Sequence, residues 1–276
     1  MVNRILKRLV PLTLLGLPLV VGAQTVPASD LLLITREVVK PARNSQHGKN
    51  EVAWARAGEA AKATDVYVAM NSMTGTNESW FVWAYTSMAD WEKRNHDAGD
   101  NAALEAVNDR YSALDAELLS NTSTMLVERR ADLSYDSGRP ITACRFASVA
   151  RVVVKIGHGA EFAEARRMVK SASEKIKAPA SLAVYQVRSG ATQGTYLVMS
   201  CSPSMAEFDA DTEGAAFVTA LGGADALAKL TSLRNGFQNS VDVQYFAFAP
   251  QMSSVPKAWG DADPYWKPKA MTKRAP

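Results

Sequence analysis

Apolar positions along the chain alternate between short β-branched runs and longer stretches with helical spacing, and the whole alternation occurs twice. Asp30 to Val39 (DLLLITREVV) reads as a strand, ended by Pro41 and followed by a polar connection. Lys49 to Ala63 is rich in Ala, Glu, Lys and Arg and lacks Pro, which favours a helix. Asp65 to Asn71 is a second strand, Thr74 to Asn77 a turn, and Glu78 to Tyr85 a third strand carrying Trp80, Phe81 and Trp83. Ser87, with Asp90 three residues on, has the form of a helix N-cap. Leu104, Val107, Tyr111, Leu114 and Leu118 then recur at helical spacing, and Thr122 to Arg129 reads as a fourth strand. The order β-α-β-β-α-β over about 100 residues is that of a ferredoxin-like unit.

The second half repeats this order. Strands are expected at Cys144–Ile156, Ser181–Arg188, Thr195–Cys201 and Ser240–Ala249. Phe162, Ala165, Val169, Ala172 and Ile176 share the buried face of the first helix there, and Leu227, Leu230 and Phe237 that of a later one. WFVWAYTSMADW, from Trp80 to Trp91, is echoed by YLVMSCSPSMAEF, from Tyr196 to Phe208, with Ser87 and Ser204 117 residues apart. His47-Gly48 and His158-Gly159 are expected at matching helix entrances, and Tyr67 and Tyr185 in matching strands. The expected organisation is a leader at 1–23, a first repeat at 24–133, a linker at 134–142, a second repeat at 143–250 and an extended tail at 251–276.

A β-α-β-β-α-β sheet carries its helices on one face, and an apolar uncovered face must pack on something. A second sheet from the same chain is the natural cover. The VKIGHGAEF run from Val154 to Phe162 and the paired strand-Ser-Met-Ala-acidic-aromatic runs resemble the dimeric α/β-barrel superfamily, which includes antibiotic-biosynthesis monooxygenase-like and NIPSNAP-like proteins. The resemblance implies an α+β fold in which two tandem ferredoxin-like repeats form one intramolecular barrel, either as a monomer with an internal pseudo-twofold or as a homodimer.

Composition refines this picture. Arg4, Lys7 and Arg8 precede an apolar run from Leu9 to Gly22 and small residues at Val21-Gly22-Ala23, the pattern of a secretory signal peptide. The expected location is therefore the periplasm or the extracellular space, with no membrane contact after cleavage. A net charge of +3 and the lack of a basic, aromatic-interleaved tract give no nucleic-acid footprint. The only two cysteines, Cys144 and Cys201, fall where the start of one central strand meets the end of its antiparallel neighbour. They are either a disulfide or two small buried thiols.

Chemistry is sparse in the sequence. No nucleophile elbow, P-loop or dinucleotide fingerprint occurs, so no cofactor is expected. His47, His96 and His158 show no metal-ligand spacing, and no metal is expected. The aromatic cluster remains, with Tyr67, Asn71, Trp80, Trp83, Trp91 and His96 as candidate lining for a small apolar ligand. The expected function is binding of such a molecule. The alternatives are a cofactor-independent monooxygenase-like enzyme and a structural or interaction module.

Overall fold

The computed structural model describes residues 30–209 and 214–267. The leader expected at 1–23 and the last residues of the tail lie outside the described residues. The first half contains β1 (Leu31–Val39), α1 (Asn44–Ala60), β2 (Tyr67–Ser72), β3 (Glu78–Tyr85), α2 (Met88–Gly99), α3 (Ala102–Ala116) and β4 (Leu119–Arg129). The second contains β5 (Phe146–Val154), α4 (Gly159–Ile176), β6 (Ala183–Ser189), β7 (Thr195–Ser202), α5 (Ala215–Leu221), α6 (Ala224–Phe237) and β8 (Gln238–Phe248), with α7 (Lys257–Ala262) after it.

The eight strands close into one antiparallel barrel in the order β1-β3-β2-β8-β5-β7-β6-β4. The two halves meet along two short seams. In one, Met70–Ser72 of β2 pair with Phe248–Phe246 of β8, and in the other Leu126–Arg129 of β4 pair with Ser189–Tyr185 of β6. Gly190 sits at the β4–β6 seam with φ +85°, and a Cβ there would collide with the Thr124 carbonyl. Only glycine tolerates both that backbone and that approach.

Strand alternation sends one set of residues inward. Leu32, Ile34, Met70, Trp80, Val127, Val149, Tyr185, Leu197 and Phe246 form the barrel core, so its interior is packed with side chains. The opposite face of each sheet lies beneath helices. In the second half that layer is apolar, built on Val152, Phe162, Val169, Tyr196, Leu230 and Phe237. Ser87 caps α2, its hydroxyl accepting from the Asp90 N–H at 3.1 Å as the sequence predicts.

Four expectations need correction. Residues 250–267 are not extended; they form two 3-10 turns flanking α7. They place Trp259 and Trp266 in the barrel core, where the Trp266 indole N–H donates to the Thr142 carbonyl at 2.8 Å. Within the linker, Tyr135 bridges Leu182 and is buried. Leu114 is exposed, and Asp115 takes the inward position on α3 with Leu104. His47 is not the counterpart of His158: it is the fourth residue of α1, and Phe162 is the fourth residue of α4. Tyr185 likewise faces the core opposite Leu197, the position Met70 holds opposite Trp80, so it does not match Tyr67.

Cys144 and Cys201 are joined by a disulfide, with Cα atoms 5.7 Å apart. Their sequence separation of 57 gives about 4 kcal/mol of stabilisation by the chain-entropy estimate. Replacing both by Ala is expected to lower the unfolding free energy by roughly 2–4 kcal/mol in urea titrations. A loss below about 1 kcal/mol would show that the bridge adds little to an already closed barrel.

Candidate functional site

The layer between the first-half sheet and its helices is polar where its second-half counterpart is greasy. Glu37 on β1 stands directly across from Ser79 on β3, and Ser79 across from Asn71 on β2. Cross-strand partners share a face, so the three make a polar row across the sheet beneath the helices. Above the row, α1 contributes His47 and Glu51, one turn apart and therefore on one side. Asp115 descends from the last turn of α3. All four ionisable groups are buried: Glu37 is 8% exposed, His47 2%, Glu51 4% and Asp115 2%.

Hydrogen bonds tie the imidazole from both sides. His47 Nδ1 lies 2.9 Å from Asp115 Oδ1, and Nε2 lies 3.1 Å from the Ser79 hydroxyl. The Ser79 O–H donates to Asn71 Oδ1 at 2.6 Å, which leaves its oxygen to accept from the ring. Nε2 therefore donates to Ser79, and Nδ1 faces the Asp115 carboxyl. Asn50 adds a second donor to Asp115 Oδ1 at 3.2 Å. Glu37 Oε2 lies 3.6 Å from His47 Nε2. Three carboxyl oxygens, Glu37 Oε2, Glu51 Oε1 and Asp115 Oδ2, are buried without a hydrogen-bond partner.

Such burial disfavours the charged form. Desolvation, and then the charge of Asp115, pushes Glu37 up to about 8. Desolvation, then Glu37 and Asp115, pushes Glu51 up to about 9. These carboxyls titrate as a coupled pair and are held mainly as acids at neutral pH. Tyr67 is pushed well above the usual phenol range by burial and then by the charges of Glu51 and Glu37.

The sequence candidates are distributed unevenly around this cluster. Asn71 belongs to it, and Tyr67 borders it. Trp83 packs 5.1 Å from Tyr67 on the same face, with Phe81 6.0 Å from Tyr67. Trp80 points the other way, into the barrel against Phe246 and beneath the Arg36 guanidinium. Trp91 lies on α2 against Tyr85, and His96 is exposed beside Asp100. The sequence does not single out Glu37, Glu51, Ser79 or Asp115, and it offers His47 only as a helix-entrance residue without metal-ligand spacing. Two signals were present: an acid inside the aliphatic run LLLITREVV, and His47 and Glu51 at helical i,i+4 spacing.

The second half serves as an internal control. Glu37 is the seventh residue of β1 and Val152 the seventh of β5; Ser79 and Tyr196 are each second in β3 and β7. Glu51 and Arg166 are each eighth in α1 and α4. Asp115 and Arg234 each precede their following strand by four residues. Where the first half has His47 on Ser79, the second has Phe162 stacked on Tyr196 at 4.1 Å. Two of the three acids of the first half, Glu51 and Asp115, are thus matched by arginines and Glu37 by Val152, and Arg166 is pulled down to about 10 by burial and by Arg234.

No family model and no curated protein matches the chain. Solved structures do. A protein titled "putative monooxygenase" from Fusobacterium nucleatum superposes with a TM-score of 0.52 at 10% identity, over 80% of this chain and 93% of its own. An anthrone oxidase-like protein superposes with a TM-score of 0.52 at 12% identity, over 79% of this chain and 91% of its own. This chain therefore shares the monooxygenase-like α+β barrel fold, and the likeness concerns the fold alone.

The raised carboxyls set a pH dependence. Between about pH 4.5 and 9 the folded protein retains protons that the unfolded chain has released, so stability falls as pH rises through that window. In chelator-containing buffer, Glu51→Gln is expected to flatten this slope and to stabilise the protein at pH 9 by on the order of 1–3 kcal/mol. Urea midpoints measured from pH 5 to 9 check it; identical slopes for the two proteins would contradict the assignment.

Proposed function

We propose that this is an exported protein of two tandem ferredoxin-like repeats whose first repeat binds a small, largely apolar molecule and acts on it by proton transfer. The observation that carries the reading is the buried cluster of Glu37, His47, Glu51 and Asp115, set beside Tyr67, Phe81 and Trp83. Buried acids poised near neutrality are suited to give or take a proton, and they concentrate at working sites. Glu51 is the group assigned as acid, because its buried Oε1 is without a partner and points into the cluster. Asn71 and Ser79 are positioning residues that fix the His47 ring. The aromatic wall supplies apolar area for the ligand, which the filled barrel interior does not.

Export accords with the disulfide, since such bonds persist in oxidising compartments. No helix among the described residues is long and apolar enough to cross a membrane. Proton transfer from carboxyl groups needs no bound cofactor, which keeps the monooxygenase-like alternative within reach.

The test uses phenols, hydroquinones and anthrones, the last suggested by the name of one structural neighbour. At least one compound is expected to raise the melting temperature and to be converted, followed by oxygen uptake and product analysis. Trp83→Ala should abolish the shift. Glu51→Gln should keep the shift and slow conversion roughly 100-fold. A panel without any thermal shift, or binding unaffected by Trp83→Ala, would overturn the reading.

A further inference from the structure

Three carboxylates and an imidazole can be neutralised in a dry layer in two ways, by protons or by a cation. Glu37, His47, Glu51 and Asp115 each offer one nitrogen or oxygen atom, and these atoms all lie within 4.8 Å of one another. Four atoms bound tetrahedrally about 2.1 Å from a common ion lie about 3.4 Å apart, so binding draws the most distant pair together by at most about 1.4 Å. We propose that this cluster is a binding site for one divalent first-row transition ion of the Mn2+, Fe2+ or Zn2+ class. The inference concerns the centre described above and rests on the reading that this cluster is where the protein works; the ion and the Glu51 proton are alternative occupants, since a carboxyl ligates only after its proton has left.

Several features point to a ligand rather than to a self-contained ion pair. The oxygens Glu37 Oε2, Glu51 Oε1 and Asp115 Oδ2 are buried and no hydrogen bond to protein satisfies them, and Glu51 and Asp115 are more than nine-tenths buried. The second half holds Val152 and Phe162 at the places of Glu37 and His47, and Arg166 and Arg234 at those of Glu51 and Asp115. The fold therefore does not require the acids. The imidazole is also arranged as ligating histidines are: one ring nitrogen is held by a carboxylate, Nδ1 on Asp115 at 2.9 Å. The other, Nε2, lies 3.1 Å from the Ser79 hydroxyl and 3.6 Å from Glu37 Oε2, within reach of an ion that Glu37 would hold.

The donor set selects the ion class. One imidazole with carboxylate oxygens is too nitrogen-rich for a Ca2+ or Mg2+ site and lacks the thiolates that favour Cu+. The mixed set suits Mn2+, Fe2+ and Zn2+. Three carboxylates against one divalent ion leave a net negative site, tempered by the Asn50 amide at Asp115 and the Ser79 hydroxyl beside the ring. Elsewhere the histidines sit at the surface: His96 pairs with Asp100 and His158 with Glu161, both exposed and on single helices. These are the sites of weak surface binding that a test must separate from the buried one.

The experiment is calorimetric titration of chelator-stripped full-length protein with Mn2+ and with Zn2+, alongside elemental analysis and melting curves. One equivalent is expected, with a raised melting temperature. The stoichiometry should survive in a His96→Ala, His158→Ala double variant. Affinity should fall at least about 100-fold in Glu51→Gln and in Glu37→Gln, both of which retain side-chain volume and whose folding is checked by circular dichroism. Absence of stoichiometric binding by the wild type would overturn the proposal, as would binding lost with the surface histidines but kept in Glu51→Gln. Stabilisation by a small molecule in the stripped protein without metal uptake would remove the metal and leave the small-molecule reading standing. Metal uptake with no response to any compound would do the reverse.

Discussion

Closure of the barrel is the constraint on which the remaining features depend. Each half forms a four-stranded sheet with two free edges and an apolar face that its own helices do not cover. Both problems are solved together when β2 meets β8 and β4 meets β6. The β2–β8 seam is only three residue pairs long, and the chain extends it by running on past β8. Ser254 then bridges Tyr67 with paired backbone bonds of 2.8 and 3.1 Å, and the Ser253 hydroxyl accepts from the Ala69 N–H. The same segment carries Trp259 and Trp266 into the barrel core. The tail is therefore part of the closure, and it lies beside the polar row through the contact of Asn71 with Met252.

Because the interior is filled, variation is left to the layers between sheet and helices. The two halves use that freedom in opposite ways. In the second, Phe162, Tyr196 and Phe237 stack into an apolar layer. In the first, His47 and Ser79 stand where Phe162 and Tyr196 stack, and Glu37, Glu51 and Asp115 beside them leave carboxyl oxygens without partners. Buried charge is commonly neutral or costly relative to apolar packing of the same shape. A cluster the fold can omit, and does omit once, is best explained by what it binds or transfers.

Much of the architecture was legible in the sequence because it rests on patterns of period two and period 3.6. The eight strands, the N-cap at Ser87 and the facing of Trp80 away from Phe81 and Trp83 all follow from those periods. Strand order brings the two cysteines together but leaves open whether they are bridged, which the structure answers with a disulfide. The cluster was harder to read because its members come from two strands and two helices, and none of them forms a local motif. Asp115 was hidden by Leu114, which continues the apolar spacing in sequence but points to solvent. The matching of His47 with His158 failed for a similar reason: a shared His-Gly pair suggested equivalence, whereas helix position assigns His47 to Phe162. The polar row of Glu37, Ser79 and Asn71 becomes visible only once strand register is known.

The central claim is that the buried cluster serves function and that the barrel does not need it to stand. The most direct measurement is the unfolding free energy of a variant in which it is made apolar: Glu37→Val, His47→Leu, Glu51→Leu and Asp115→Leu together, compared with wild type at pH 8 in chelator. The account predicts a stability equal to or greater than that of wild type, with the barrel intact by circular dichroism. A loss of more than about 3 kcal/mol would contradict it and make the cluster a structural element of the first half.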